Sequence, residues 1–260
     1  MGKVIVISNR KGGCGKSFTA ASLSIGLARQ GNKVLCLDCD NQHSLTISMG
    51  VSEPDTLPIT LTTIISDIIN EKDIDPTAGI IRHPEGIDLM PANNSLTGIE
   101  LTLAPLTGRE TILRQYIEKV RPLYDYVVID TAPTLDLLTV NALAAADSAI
   151  IPVAPKFLDA KGLELLLKSI AQIRRHINPQ LSIDGILLTM VDKRTNFGKE
   201  IIGMIEGAYG EQIHIFKDHI PHSVRAAETS ATGKSIFAHD PKGKVATAYT
   251  SFVGEVLEVA

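Results

Sequence analysis

Short runs of consecutive apolar, largely β-branched residues recur along this chain, and stretches with helical spacing separate them. Continuous apolar runs are typical of strands whose two faces are both covered by helices. The pattern therefore predicts an α/β fold with a mostly parallel, twisted β-sheet, right-handed crossovers and helices on both faces. The predicted strands are 3–8, 33–38, 124–133, 148–155 and 183–191, with further strands over 86–92 and 213–221.

The first predicted helix, "KSFTAASLSIGLARQG", follows a glycine-rich loop and stops at Gly31. Four prolines between residues 50 and 85 interrupt a further helix around 59–70. We find no repeat, low-complexity tract or linker, so we expect a single domain over residues 1–260. The other predicted helices are 94–104, 109–120, 136–146, 160–176, 197–209 and 245–258.

Composition excludes several classes of protein. A net charge of −4 argues against a protein that coats nucleic acid with its whole surface, although it permits a local basic patch. We expect no signal peptide, because Met1 is followed directly by an apolar strand-like stretch, and no apolar run reaches the roughly 18 residues needed to cross a bilayer. The three cysteines, Cys14, Cys36 and Cys39, do not form a disulfide framework. We expect a soluble, cytoplasmic protein.

The stretch "GGCGKS", residues 12–17, lies between the first strand and the first helix. It matches the end of the phosphate-loop pattern G-x-x-x-x-G-K-[ST], whose first glycine is replaced here by Arg10. Glycines let successive backbone N–H groups turn inward around a phosphate chain at a helix N-terminus. Lys16 would neutralise the terminal phosphates, and the Ser17 hydroxyl would bind Mg²⁺. The alternative is an ordinary glycine turn with a solvated lysine.

Three aspartates lie at or near the carboxyl ends of predicted strands. Asp38 and Asp40 alternate onto one side of the second strand, at the end where α/β folds bind ligands. Asp130 closes the apolar run "VVID", and an unpaired carboxylate there would be so unfavourable that we expect a cation beside it. Asp38 and Asp40 could instead cap a helix or face solvent.

The cysteines allow a redox or metal-binding interpretation, since Cys36 and Cys39 form C-x-x-C. Residues three apart on a strand point to opposite faces, which prevents chelation and favours packing in the core. Cys14 lies inside the phosphate loop, where we expect it to be open to alkylation without being catalytic.

The segment "KGGCGKS" resembles the deviant Walker A motif, K-G-G-x-G-K-[ST], of the ParA/MinD family of P-loop ATPases. The resemblance implies ATP and Mg²⁺ as cofactors. It also implies that Lys11 is the signature lysine, which reaches across a homodimer interface to the partner's nucleotide. By its sequence position alone, Lys11 would be a solvated loop lysine. The implied nucleotide-binding residues of the loop are Lys11, Gly12, Gly13, Cys14, Gly15, Lys16, Ser17 and Phe18.

The same resemblance assigns roles to the carboxylates. It implies that Asp40 orients the attacking water and acts in catalysis with Lys11 and Lys16. Asp38 and Asp130 would join Ser17 in holding the magnesium ion. The family pattern after the second strand is D-x-D-P-Q, in which Asn41 replaces the proline here.

The C-terminal half resembles the small, Soj-like partitioning members of the family, which lack an N-terminal DNA-binding extension. The similarity lies in "GILLTMVDKRTN" and in the long stretch that begins "HIPHSVRAAETSATGKSIF". It implies that Asp192 and Pro221 contact adenine, and that Arg194 and Arg225 bind DNA without sequence preference. The family usually has arginine after that proline, where this chain has His222. Without the resemblance, the two arginines would be assigned to a solvated charged face.

The resemblance thus implies a nucleotide-switched partition ATPase that is associated with the nucleoid. It would form an ATP-sandwich homodimer, bind DNA nonspecifically and hydrolyse ATP when a ParB-like partner stimulates it. A MinD-like ATPase at a membrane is the first alternative, but "AYTSFVGEVLEVA" has two glutamates and no basic residue, so anionic lipid should repel it. A metabolic enzyme of the same superfamily, iron–sulfur or dethiobiotin-synthetase-like, and a nucleotide-binding protein without hydrolysis are the others.

Overall fold

One twisted sheet organises the molecule. The computed structural model describes residues 2–192 and 196–259, and within these residues seven strands form a single sheet in the order β3-β4-β2-β5-β1-β6-β7. Every pairing is parallel except that between β3 and β4. The strands are β1 Lys3–Ile7, β2 Val34–Cys39, β3 Ile81–Arg82, β4 Asp88–Met90, β5 Tyr126–Thr131, β6 Ser148–Val153 and β7 Ser182–Leu188.

Helices cover both faces of this sheet, as the apolar runs predict. The α-helices of the described residues are α1 Lys16–Arg29, α2 Ser44–Ser48, α3 Leu61–Ile69, α4 Leu96–Leu103, α5 Ile112–Val120, α6 Leu137–Ala145, α7 Phe157–His176, α8 Asn196–Tyr209, α9 Val224–Thr232, α10 Ile236–His239 and α11 Lys244–Val259. Helices α3 to α8 contribute to one apolar cluster, and α1, α2, α10 and α11 contribute to the other. The α/β prediction is confirmed.

Alternation along the strands divides their side chains between the two clusters. Val4 and Val6 of β1 pack into one cluster, while Ile5 of the same strand packs into the other. Cys36 and Cys39 are both fully buried and belong to opposite clusters. Burial raises the pKa of both thiols, which keeps them protonated and unreactive. The prediction that they pack in the core is confirmed.

The central strands bring their carboxyl ends to one edge of the sheet. Strand β5 lies between β2 and β1, with Asp38 opposite Asp130 in one pairing and Ile7 opposite Asp130 in the other. Because β1 leads directly into the glycine loop, this register places the loop beside both aspartates.

The prediction of a strand over 213–221 is wrong. This segment meets the sheet only at two isolated bridges, Ile186 with Ile215 and Val191 with Pro221. Between the bridges the ladder is interrupted: Phe216 donates its N–H to Ile186, but the next donor to β7 is Ile220, which bonds to the Leu188 carbonyl that Asp218 would reach in a regular parallel ladder. The short elements β3, α2, α9 and α10 were not predicted, and α9 has one buried residue among its nine, too few for an apolar period.

Among the described residues, no helix is both long enough and apolar enough to cross a membrane.

Candidate functional site

The glycine loop owes its shape to two residues in the left-handed region. Gly13 has φ of +71° and Gly15 has φ of +83°, a conformation that costs little only for glycine. Gly15 immediately precedes α1, so the loop delivers its backbone N–H groups to a helix N-terminus. The first turn of α1 has no acidic residue, which leaves the positive end of the helix dipole available to an anion.

Side chains from outside the loop hold it in place. Asn9 donates from Nδ2 to the carbonyl of Pro152 at 2.6 Å and accepts from the N–H of Lys11 at 3.1 Å. Thr189, just beyond β7, donates its hydroxyl to the carbonyl of Cys14 at 2.8 Å. Cys14 is fully buried and its thiol donates to the carbonyl of Lys11, so the expectation of an alkylatable thiol is wrong.

The loop lysines occupy different environments. Lys16 is only 7% exposed, and its ammonium donates to the carbonyl of Lys11 at 3.2 Å, which folds the charge over the loop. Lys11 is half-buried, and its backbone takes part in the contacts with Asn9, Cys14 and Lys16. A cation held over inward-turned N–H groups is suited to bind a phosphate chain.

Asp38 and Asp40 lie close together at the end of β2, where the N–H of Asp40 donates to Asp38 Oδ1 at 3.1 Å. Asp38 is fully buried, and its Oδ2 accepts from the N–H of Thr46 at 2.8 Å and from its hydroxyl at 2.6 Å. Burial raises the pKa of Asp38 to about 6, although these hydrogen bonds oppose the rise. Asp40 is 5% exposed and accepts from the N–H of Gln42 at 2.9 Å.

Asp130 is the most unusual group of the site. It is fully buried, and neither of its carboxylate oxygens has a hydrogen-bond partner within 3.5 Å. Burial and the nearby Asp38 charge raise its pKa well above the ordinary value, while Ser17 and Lys16 are near enough to oppose the rise. A buried, uncompensated carboxylate is costly in free energy.

The oxygens at this edge fit a magnesium ion. Mg²⁺ is commonly bound through one or two carboxylates, substrate phosphates and water. Asp38, Asp130 and the Ser17 hydroxyl offer such oxygens beside the phosphate loop. No group of three or more His, Cys, Asp or Glu side chains in the described ranges is arranged to hold a metal. A magnesium ion here would therefore depend on phosphate and water as well as on the protein.

Beside the loop lies a pocket with an aromatic wall. The rings of Phe18 and Tyr249 meet edge to face with centroids 5.5 Å apart, and the Tyr249 hydroxyl is hydrogen-bonded to Thr19 at 2.9 Å. A cavity of about 220 Å³ is lined by these two rings, by Gly15 and by Pro221. A neighbouring cavity of about 500 Å³ is lined by Asp192 and again by Pro221. The structure thus brings the two predicted adenine contacts together next to the phosphate loop.

Comparisons with known proteins identify the family. A family model described as "AAA domain" matches residues 2–183. The chain is 37% identical over 256 residues to the sporulation initiation inhibitor protein Soj of Bacillus subtilis, with 98% of each chain covered. It is 34% identical to the chromosome partitioning protein ParA of Myxococcus xanthus, covering 99% of this chain and 89% of that protein. The chain belongs to the ParA/Soj family.

Solved structures agree with this assignment. The cobyrinic acid a,c-diamide synthase of Mycobacterium smegmatis, solved with a bound ATP analogue and magnesium, matches with a TM-score of 0.86 and 32% identity over 99% of this chain and 95% of that one. The name of that protein describes a different activity from those of the ParA and Soj relatives. The shared fold alone therefore does not specify what a ParA/Soj chain acts on.

Within this ParA/Soj chain, the structure gathers most of the predicted site residues at one edge. The loop from Lys11 to Phe18 adjoins Asp38 and Asp40 at the end of β2 and Asp130 near the end of β5. Arg225 is exposed near the start of α9. Arg194 lies outside the described residues.

Sequence reasoning missed several residues that hold the ParA/Soj site together. Asn9 and Thr189 anchor the loop, Thr46 holds Asp38, and Tyr249 forms the pocket wall. Thr189 lies inside the strand predicted over 183–191 and follows β7 in the structure, so its sequence position gave no signal for a site residue. Tyr249 is 230 residues from its partner Thr19, and no local pattern links them.

Proposed function

We propose that this ParA/Soj protein is a Mg²⁺-dependent partition ATPase that forms an ATP-sandwich homodimer, binds DNA nonspecifically and hydrolyses ATP when a ParB-like partner stimulates it. The observation that carries the ATPase part is Asp130, whose buried oxygens lack partners beside a loop shaped for phosphate. In this proposal residues 1–260 form a single domain that acts in the cytoplasm on the nucleoid.

Each residue at the carboxylate edge has a role in the proposal. Lys16 and the loop N–H groups bind the phosphates, and Ser17, Asp38 and Asp130 hold the magnesium ion. The bound ion neutralises charge on the terminal phosphates. Asp40, whose carboxylate is fixed by the N–H of Gln42, orients the attacking water.

Lys11 makes the homodimer depend on the triphosphate. Contacts with Asn9 and Lys16 fix its backbone, while its side chain is half-buried beside the loop. A cation supplied by the second copy stabilises charge that develops during phosphoryl transfer. ATP then shifts the population towards the dimer because it binds that assembly more tightly.

The DNA-binding part rests on the surface between residues 217 and 244. This segment has five Lys and Arg residues against three Asp and Glu, and the five basic residues are all exposed. Two copies in a dimer would double the number of phosphate contacts, and backbone binding without sequence preference depends on the sum of such contacts. The basic residues are Lys217, Arg225, Lys234, Lys242 and Lys244.

The test combines molecular size and DNA binding in ADP, ATP and a nonhydrolysable analogue. We expect Lys11→Ala and Lys16→Ala to lose the ATP-dependent dimer. Arg225→Ala should dimerise and bind DNA more weakly, with a smaller dependence on salt. Lys72→Ala, at an exposed lysine of a surface ion pair, is the matched control and should behave like wild type. Rapid hydrolysis by a dilute monomer, or DNA binding indifferent to nucleotide, would contradict the proposal.

A further inference from the structure

Helix α2 is tied to the carboxylate edge through one threonine. Thr46 is fully buried and donates both its N–H and its hydroxyl to Asp38. Its hydroxyl oxygen also accepts from the N–H of Ala92 at 3.0 Å. A change in the hydrogen bonding of Asp38 therefore acts directly on the position of α2.

The far end of α2 meets the far end of α9 backbone to backbone. Gly50 follows α2 with φ of +90°, and Gly233 follows α9 with φ of +63°. A Cβ placed on Gly233 would lie 2.8 Å from the Cα of Gly50 and 3.2 Å from its nitrogen. Only glycine at 233 permits this approach, since the atoms in the way belong to the backbone.

Apart from this contact, helix α9 is held mainly by partly exposed groups, among them the ion pair of its Glu228 with His239 at 2.9 Å. Thr229 is its one buried residue, and Val224 at its start is 70% exposed. Just beyond its end, Ser235 donates its N–H to Glu85 at 2.8 Å and its hydroxyl to the same carboxylate. Elements with few buried contacts are those that move most readily, so α9 should follow what holds its C-terminal end.

We propose that Thr46 and Gly233 are positioning residues that couple the phosphate and magnesium edge of the site, across the backbone of Gly50, to α9, and through α9 to Arg225. The inference rests on the proposed function for its DNA-binding consequence. Occupancy of the edge changes the hydrogen bonding of Asp38, α2 shifts with Thr46, and the glycine contact passes the shift to α9. Coupling between two sites typically changes affinity by about 5- to 150-fold.

Gly233→Ala tests the contact, because its Cβ forces the two backbones apart. The first control is Gly31→Ala, which has φ of +90° and no atom within 4 Å of the added Cβ, so that it suffers backbone strain alone. The second is Gly50→Ala, whose Cβ would make an ordinary contact at 3.7 Å. We expect Gly233→Ala to form the ATP-dependent dimer but to lose most of the ATP-dependent gain in DNA affinity, about 5-fold or more. Both controls should retain the gain.

Amide hydrogen exchange over residues 229–232 tests the coupling without DNA, so it also serves if wild type fails to bind DNA. The ATP analogue should slow exchange in wild type and in Thr46→Ser, which keeps both hydroxyl contacts. The analogue should leave exchange unchanged in Gly233→Ala and in Thr46→Val, which loses both hydroxyl contacts. If Gly233→Ala does not fold, the comparison of Thr46→Ser with Thr46→Val decides.

Equal slowing of amide exchange in all four proteins, or no slowing in wild type, would overturn the inference. Absence of DNA binding by wild type would contradict the proposed function alone.

Discussion

The phosphate loop and the segment from residue 213 to 244 lie side by side but are built in different ways. The loop continues from β1, which is paired on both sides within the sheet, and leads into a helix with ten buried residues. The C-terminal segment touches the sheet at two isolated bridges. Side chains from elsewhere hold it: Glu255 contacts His214 and Lys217, and Glu85 contacts Ser235.

The contrast matches the two tasks in the proposed function. Phosphate chemistry needs groups held within a fraction of an ångström, which rigid strand ends provide. A surface that changes with the nucleotide must instead have alternative positions of similar free energy. If this division holds, substitutions in the phosphate loop should abolish nucleotide binding. Substitutions in the C-terminal segment should instead change how the protein responds to nucleotide, or its stability.

The largest expected effect is at the loop itself. Lys16→Ala removes the buried ammonium from the phosphate site, and we expect the affinity for ATP to fall about 100-fold. Isothermal titration with Mg²⁺ and ATP measures this. Lys72→Ala, an exposed lysine, should leave the affinity unchanged. Retention of normal affinity by Lys16→Ala would remove the basis for calling the loop a phosphate site.

The buried carboxylates should make the nucleotide-free protein less stable as pH rises. The pKa of Asp38 is raised from 3.8 to about 6, and that of Asp130 is raised well above 3.8. Between the unfolded and folded pKa values the unfolded chain has released its proton and the folded chain has not, so stability falls with increasing pH.

Asp130→Asn removes the second of these buried carboxylates. We expect the free energy of unfolding of the nucleotide-free variant at about pH 8 to exceed that of wild type by about 2–3 kcal/mol. Thermal melts from about pH 5 to about pH 8 should show that the stability of the variant falls less steeply with pH than that of wild type. Stabilisation by Mg²⁺ and ATP should disappear. Asp73→Asn, at a 98% exposed carboxylate, is the control. If the stability of Asp130→Asn falls with pH as steeply as that of wild type, the raised pKa assigned to Asp130 is contradicted.

In the second region, Glu255→Ala should loosen the segment without harming the loop. The Glu255 carboxylate contacts the His214 ring at 2.8 Å and accepts from the N–H of Lys217 at 3.1 Å. We expect a loss of about 2 kcal/mol in stability and faster amide exchange over residues 213–217. Glu258→Ala, an exposed glutamate on the same helix, should do neither. Equally faster exchange in the loop would show that the two regions are not independent.

The smallest effect is expected where the two regions meet. Tyr249→Phe removes the hydroxyl that bonds to Thr19 and keeps the ring against Phe18, so it should cost about 1 kcal/mol in stability. Thr19→Val should cost the same, and the double variant should cost no more than either alone. ATP affinity should change by less than about 2-fold in Tyr249→Phe. Additive costs in thermal or chemical unfolding would indicate that the hydrogen bond contributes nothing to stability.

Prediction from sequence succeeded where local pattern and structure coincide. The buried strands were found because parallel strands covered on both faces leave continuous apolar runs, and the phosphate loop was found because its residues are consecutive. It failed over 213–221, where the ladder to β7 is interrupted between Phe216 and Ile220, an irregularity that the local apolar pattern does not report. It also missed α9, whose single buried residue leaves no periodic signal.

The sequence by itself determined the α/β class, the loop that can hold phosphate and the aspartates that end two strands. Only the tertiary structure decided that Asp38 lies opposite Asp130, because β5 enters the sheet between β2 and β1. It alone placed Thr46 on Asp38 and Gly233 against Gly50. The physical reason is that local propensity acts over a few residues, whereas strand order and these contacts depend on how distant parts of the chain pack together.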